Sequence, residues 1–268
     1  MLLQVKDVRK SYKIATEYGW FKQKKVVLKG VSLELAEGSC LGVIGESGSG
    51  KSTLSRMILG VEKPTEGQLL IEGIDFWQGS KGMQQNLRRK MSVVFQDYTS
   101  SVNPNFTVEK IILEALYLTT LTPKEKRERI LELLDKVELG EKYLHSYPHE
   151  LSGGQLQRIC IARAIAAKPK LVILDESISS LDVSTQLIVM DLLMKLKKEE
   201  QLSYLFITHD LMSITYICDL VCFMKDGEII EVVSNIEQLK DVQHSYSKAL
   251  LQSVLPLYAK EERDLVIC

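Results

Sequence analysis

The junction between Ser39-Cys40-Leu41-Gly42-Val43-Ile44 and Gly45-Glu46-Ser47-Gly48-Ser49-Gly50-Lys51-Ser52-Thr53 constrains this chain more than any other stretch. The first part is almost wholly apolar, the pattern of a strand buried on both faces. The second satisfies G-x-x-x-x-G-K-S/T. Its glycines allow the backbone to turn successive N–H groups inward around a β-phosphate. Lys51 then reaches the β and γ oxygens, and the Ser52 hydroxyl can coordinate Mg2+. A helix is expected over Lys51 to Leu59, stopped near Gly60 and Pro64. Strand, cradle and helix in that order predict an α/β fold built around a nucleotide.

The rest of the chain supports such a sheet. Strands are expected at Leu2 to Val8, Val26 to Leu35, Gly67 to Ile71, Met91 to Phe95 and Leu171 to Leu174, then at Tyr204 to Ile207, Leu220 to Met224 and Glu228 to Val232. The polar, aromatic run TEYGWFKQKK between the first two reads as a hairpin loop. Helical periodicity takes over between Thr107 and about Leu144, returns after LSGGQ, and recurs over Val183 to Leu196 and Leu211 to Cys218. The expected organisation is a nucleotide-binding unit over residues 1–234, an all-α insertion at about 98–160, and a tail over 235–268 with a short helix in SYSKALLQSVL.

Composition removes several alternatives. With 268 residues and a formal net charge of −1, the chain has no global basic field to argue for nucleic acid. No apolar run reaches the ~18 residues of a membrane span, and the N-terminus lacks a signal-peptide core. The five cysteines, at positions 40, 160, 218, 222 and 268, are odd in number and scattered, which reads as reduced packing residues rather than a metal site.

Other chemistry collects at expected strand ends. Leu171-Val172-Ile173-Leu174 runs into Asp175-Glu176, placing adjacent carboxylates where α/β sheets bind ligands. Asp175 could hold Mg2+ through water, and Glu176 could polarise an attacking water as general base. His209 follows Tyr204 to Ile207, and Gln96 follows Val93-Val94-Phe95. The first is a candidate γ-phosphate contact, the second a candidate Mg2+ ligand or water-orienting amide. A second anion device appears at Leu151-Ser152-Gly153-Gly154-Gln155. There Ser152 can cap a helix and two glycines let a ligand approach the backbone.

Together, GESGSGKST, Gln96, LSGGQ, LVILDE, SSLD at Ser179 to Asp182 and His209 resemble the ATP-binding subunit of an ABC transporter, over roughly residues 3 to 256. The resemblance implies a P-loop NTPase with a mainly parallel core sheet, an antiparallel β portion and a helical insertion. It implies MgATP as substrate, with Tyr12 stacking on adenine; Tyr18, Trp20 and Phe21 are rivals for that role. In the family, two cassettes pack head to tail, and the signature of one caps the phosphate held by the other. Asp182 would line that interface. Phe95-Gln96-Asp97 with Val102-Asn103-Pro104, and the tail from Gln243 to Leu251, are similar to the peptide and nickel importers. LSGGQLQRICIARAI with LLQSVLP is most similar to a nickel-import subunit. The implied partners are a second, different ATPase chain, two membrane permeases and an extracellular solute-binding protein, with this chain peripheral on the cytoplasmic face and no nucleic acid bound. Ser177, Ser180 and Asn105 depart from frequent family residues without removing a catalytic group.

Overall fold

A strand buried along its whole length, as Cys40–Ile44 is, needs a neighbour on each edge and a packed layer on each face. It has both. The computed structural model describes residues 1–15, 22–178 and 181–252. The chain begins with β1 (Leu3–Ala15), β2 (Lys22–Leu35), β3 (Cys40–Ile44), α1 (Lys51–Ile58), β4 (Glu66–Ile71) and β5 (Ile74–Asp75). Next come α2 (Lys81–Arg89), β6 (Met91–Val94), α3 (Val108–Ala115), α4 (Pro123–Lys136) and α5 (Gly153–Ile165). The chain continues through β7 (Leu171–Asp175), α6 (Val183–Glu199), β8 (Ser203–Thr208), α7 (Leu211–Ile217), β9 (Leu220–Lys225) and β10 (Glu228–Val233). Residues 245–252 are helical.

Six strands form the central sheet in the order β10-β9-β3-β8-β7-β6, with β10 alone antiparallel to its neighbour. A separate four-stranded sheet, β2-β1-β4-β5, is antiparallel throughout. Strand alternation sorts the central side chains onto two cores. Cys40 and Ile44, Val172 and Leu174, and Tyr204 and Phe206 pack with α3 to α7. Leu41 and Val43, Leu171 and Ile173, and Leu205 and Ile207 pack with α1 and the antiparallel sheet. The central sheet is thus sandwiched. Its parallel strands all end at one edge, where Ile44 pairs with Thr208, Asp175 with Ile207 and Val94 with Leu174.

Three elements differ from the sequence expectation, the smallest being β5, whose two residues are too few to show any alternation. The first hairpin is longer than its apolar residues indicate, because β1 runs to Ala15 and β2 starts at Lys22, with Tyr12 paired to Lys25. Lys24, Lys25 and Val26 are exposed, so no buried face imposes an apolar alternation there. Helix α2 was not expected at all. Only Leu87 of it is buried, which leaves no apolar stripe to read. Its start is nonetheless capped, the Ser80 hydroxyl accepting the Met83 N–H at 3.3 Å. All four cysteines among the described residues are free and buried.

The helical segment between β6 and β7 is tied to the rest by one buried cation. Arg129 of α4 is 6% exposed and Glu200, at the C-terminal cap of α6, is 9% exposed at the side chain, with 3.3 Å between Nη2 and Oε2. Arg129 also donates to the carbonyls of Ile165 (3.3 Å) and Ala166 (3.4 Å) at the end of α5, and Lys136 joins the Glu200 carboxylate. Burial alone would raise the Glu200 carboxyl pKa; Lys136 and Arg129 outweigh it and hold the group below its ordinary value. A depressed folded pKa stabilises above the unfolded value of about 4.3, and that contribution is lost as pH falls through the folded value. Glu200→Gln therefore costs about 3 kcal/mol in urea unfolding at pH 7, the scale for removing one partner of a buried pair. The gap between variant and wild type closes as the medium is acidified below pH 4. Equal stabilities at pH 7 would show that Arg129 does not depend on this carboxylate.

Candidate active site at the carboxyl edge of the central sheet

The loop after β3 needs glycine for two separate reasons. Gly48 and Gly50 have φ of +83° and +109°, a region that favours residues without Cβ. Gly45 has no such strain, but a Cβ there would lie 2.1 Å from the Met224 carbonyl oxygen on β9. Gly50 is also the N-cap of α1, which has no side-chain cap and no acidic residue in its first turn. The first N–H groups of that helix remain available to an anion. From the other side the β9–β10 turn supports the loop, the Gly227 N–H donating to the Ser49 carbonyl at 3.0 Å.

Lys51 lies at the centre, 5% exposed. Its ammonium donates to the carbonyls of Gly45 (2.7 Å) and Glu46 (2.9 Å). Burial lowers its pKa, opposed by the charges of Glu176, Asp175 and Glu46. This is a cation surrounded by acceptors in a desolvated place, which a polyphosphate can replace. Beside it opens a cavity of about 520 Å³ lined by Lys51, Ser52, Thr53, Glu176 and Asp226 among others. An adjoining cavity of about 580 Å³ is lined by Ser47, Ser52, Gln96, Asp175 and Glu176. Three strand ends, those of β3, β6 and β7, thus converge on one space.

Burial pushes the Asp175 carboxyl above its ordinary pKa; a hydrogen bond from Ser55 and the Lys51 charge pull it down, and Glu176 pushes it up. Glu176 has φ +47°, an uncommon backbone for a residue with a side chain. Its N–H is held by the Ile207 carbonyl at 2.8 Å. The left-handed turn sends Glu176 out of the strand while Asp175 stays within it. His209 Nδ1 lies 3.6 Å from Glu176 Oε1. Behind Glu176, Ser177 is fully buried, and its carbonyl accepts Gln157 Nε2 of α5 at 2.7 Å. Tyr12 sits across the cradle helix, its hydroxyl donating to Glu62 at 2.8 Å. Its rivals Tyr18, Trp20 and Phe21 lie outside the described residues.

The LSGGQ segment is a capped, exposed helix start. Ser152 Oγ accepts the Gln155 N–H at 3.3 Å, and Gln155 Oε1 accepts the Ser152 N–H at 2.9 Å. Its glycines also have a packing reason that the sequence alone hides. A Cβ on Gly153 would meet the Tyr98 hydroxyl at 2.7 Å, and one on Gly154 the Thr185 methyl at 2.5 Å. None of Leu151 to Gln155 lines the two cavities beside the cradle. Asp182 caps α6, accepting the Thr185 N–H at 3.0 Å. Hydrogen bonds from Ser184 and Thr185 bring its carboxyl pKa down to about 2. Ser179 and Ser180 of SSLD lie outside the described residues.

Sequence reasoning missed three contributors. The turn at Asp226-Gly227 and the tail containing Tyr246 are readable in sequence, but not that they support the cradle; Ser55 beside Asp175 has no motif of its own. Tyr246 accepts the Glu46 N–H at 3.0 Å. Because Gly45 touches backbone rather than a flexible side chain, Gly45→Ala should cost about 2 kcal/mol or more in thermal unfolding, within the range of overpacked sites. An unchanged melting temperature would mean that β9 yields freely.

Comparison with known proteins agrees with this geometry. The family model for ABC transporters matches residues 28–179. The metal-staphylopine import system ATP-binding protein CntF of Staphylococcus aureus (strain Mu50) is 42% identical over 256 residues, 95% of this chain and 99% of that protein. The oligopeptide transport ATP-binding protein AppF of Bacillus subtilis is 42% identical, over 94% of this chain and 78% of its own length. The nickel import ATP-binding protein NikE of Brucella suis is 40% identical, over 87% of this chain and 88% of its own. Among solved structures, the dimeric post-hydrolysis state of the ATP-binding cassette MJ0796 bound to ADP and Pi is 33% identical. It superposes with a TM-score of 0.74, covering 86% of this chain and 97% of that one. At this identity and coverage, the chain belongs to the ABC transporter family as an ATP-binding cassette.

Proposed function

We propose that this chain hydrolyses ATP to drive an importer whose membrane-spanning subunits are separate chains. The observation that carries the reading is the convergence of Lys51, Ser52, Gln96, Asp175 and Glu176 on two adjoining cavities. The N–H groups of the cradle and of α1 hold the phosphates, and Lys51 exchanges its carbonyl partners for β and γ oxygens. Ser52, Gln96 and Asp175 offer only oxygen donors, the set that suits Mg2+; when bound there the ion neutralises charge on the β- and γ-phosphate oxygens. Glu176 accepts a proton from the attacking water as general base. His209, beside Glu176, contacts the γ-phosphate, and Tyr12 carries the adenine.

The second half of the site comes from another cassette. Leu151, Ser152, Gly153, Gly154 and Gln155 form an anion-ready helix start that lines neither cradle cavity, and Asp182 lies on the same exposed side of the chain. In two chains packed head to tail, each signature closes the partner's cradle. The dimeric form of the MJ0796 neighbour supports this arrangement. ATP favours the closed pair because it touches both chains only there.

No helix among the described residues is long and apolar enough to cross a membrane. In this reading two permease subunits carry the transport path, with this chain docked on their cytoplasmic face beside a second ATPase subunit and an extracellular solute-binding protein delivering the cargo. The cargo is nickel or a related transition metal or metal chelate, supported by the relatives named for metal-staphylopine and nickel import. Oligopeptide import is the second reading, favoured by the equal identity to AppF. Among the described residues no group of three His, Cys, Asp or Glu is placed to hold a metal; in this reading the permeases and the solute-binding protein select the cargo. Loss of metal-chelate uptake in a deletion strain, with peptide uptake intact, supports the first reading; the opposite pattern supports the second.

Two substitutions separate binding from chemistry. Lys51→Ala should abolish ATP binding measured by fluorescent-nucleotide titration, and retained affinity would remove the cradle assignment. Glu176→Gln should bind ATP normally and lose roughly 10²–10⁴ in turnover, the scale of a general base. Near-normal phosphate release would exclude Glu176 from that role.

A further inference from the structure

The helix at residues 245–252 docks on the cradle, and one contact there is placed to act on Lys51. The peptide unit joining Gly45 to Glu46 is held from both ends. Its carbonyl, on Gly45, accepts Lys51 Nζ at 2.7 Å. Its N–H, on Glu46, donates to the Tyr246 hydroxyl at 3.0 Å. In a planar trans peptide these two groups point in opposite directions, so fixing the N–H fixes the direction of the carbonyl. A hydrogen bond at one end also polarises the other.

The tyrosine is itself well held. It is 8% exposed, and Lys225 Nζ of β9 lies 4.9 Å from its ring centroid. The turn that begins the helix is anchored by Glu231 of β10, whose carboxylate accepts the N–H groups of Gln243 (2.5 Å) and His244 (3.2 Å). Between tail and cradle a cavity of about 330 Å³ is lined by Gly45, Glu46, His209, Tyr246, Ala249 and Leu250. The tail therefore faces both the loop that holds Lys51 and the histidine beside Glu176.

We propose that Tyr246 is a positioning residue for ATP binding, its hydroxyl setting the orientation of the Gly45–Glu46 peptide and through it the resting place of Lys51. This rests on the ATPase reading of the same site. Without that acceptor the Glu46 N–H loses its partner and the peptide can rotate. Lys51 then starts from a dispersed set of positions rather than one poised beside the cavity.

The test is Tyr246→Phe in the full-length chain, which keeps the ring and its packing. Fluorescent-ATP titration, steady-state hydrolysis and thermal unfolding are measured together with Lys51→Ala as reference. The expected result is an ATP affinity and KM weakened about tenfold, the size of one net hydrogen bond. The expected kcat at saturating ATP stays within about twofold, and the melting temperature falls by no more than about 4 °C, the scale of one lost hydrogen bond in a chain of this size. ATP affinity within twofold of wild type would overturn the proposal, as would parallel loss of kcat and melting temperature, which marks a purely structural tyrosine. Should Lys51→Ala bind ATP as wild type does, the ATPase reading itself fails, an outcome separate from any effect at Tyr246.

Discussion

Two-sided burial of the parallel strands is the constraint on which the remaining structure depends. β3, β7 and β8 present alternate residues to two different cores. Neither strand face is free to hold a ligand, so chemistry is confined to the strand ends. Parallel pairing then brings those ends to one edge, and the cradle, Asp175-Glu176, Gln96 and His209 become neighbours although they are far apart in sequence. The site follows from the sandwich rather than from local loop structure.

At that edge the chief problem is electrostatic. A desolvated ammonium at Lys51 is costly unless acceptors surround it. The fold supplies backbone carbonyls at Gly45 and Glu46 and more distant carboxylates at Glu176 and Asp175. These acceptors stabilise the resting cation without occupying the phosphate positions. The raised Asp175 carboxyl and the left-handed backbone of Glu176 belong to the same compromise. Acids are kept close to a buried cation, and one of them is turned out toward the cavity.

Most of this was legible in residues. The apolar run into G-x-x-x-x-G-K-S/T gives strand, loop and helix together, because each needs a distinct composition. LVILDE announces both a buried strand and acids at its end. What stayed hidden had no compositional mark. Lys24, Lys25 and Val26 of the first hairpin are exposed and helix α2 buries only Leu87, so no periodicity betrays them. Gly153 and Gly154 read as ligand-approach residues, while their packing against Tyr98 and Thr185 depends on elements distant in sequence. The same is true of Tyr246, separated from Glu46 by 200 residues. Such contacts are products of topology, and a one-dimensional reading has no access to them.

If the signature helix start of a second cassette completes the cradle, one chain suffices to bind ATP and two are needed to turn it over. The most direct measurement is ATP binding and phosphate release by the same sample, diluted until sedimentation shows a monomer. The expected result is one ATP bound per monomer with turnover close to background, rising only as chains associate or a partner cassette is added. Full turnover by the isolated monomer would contradict it.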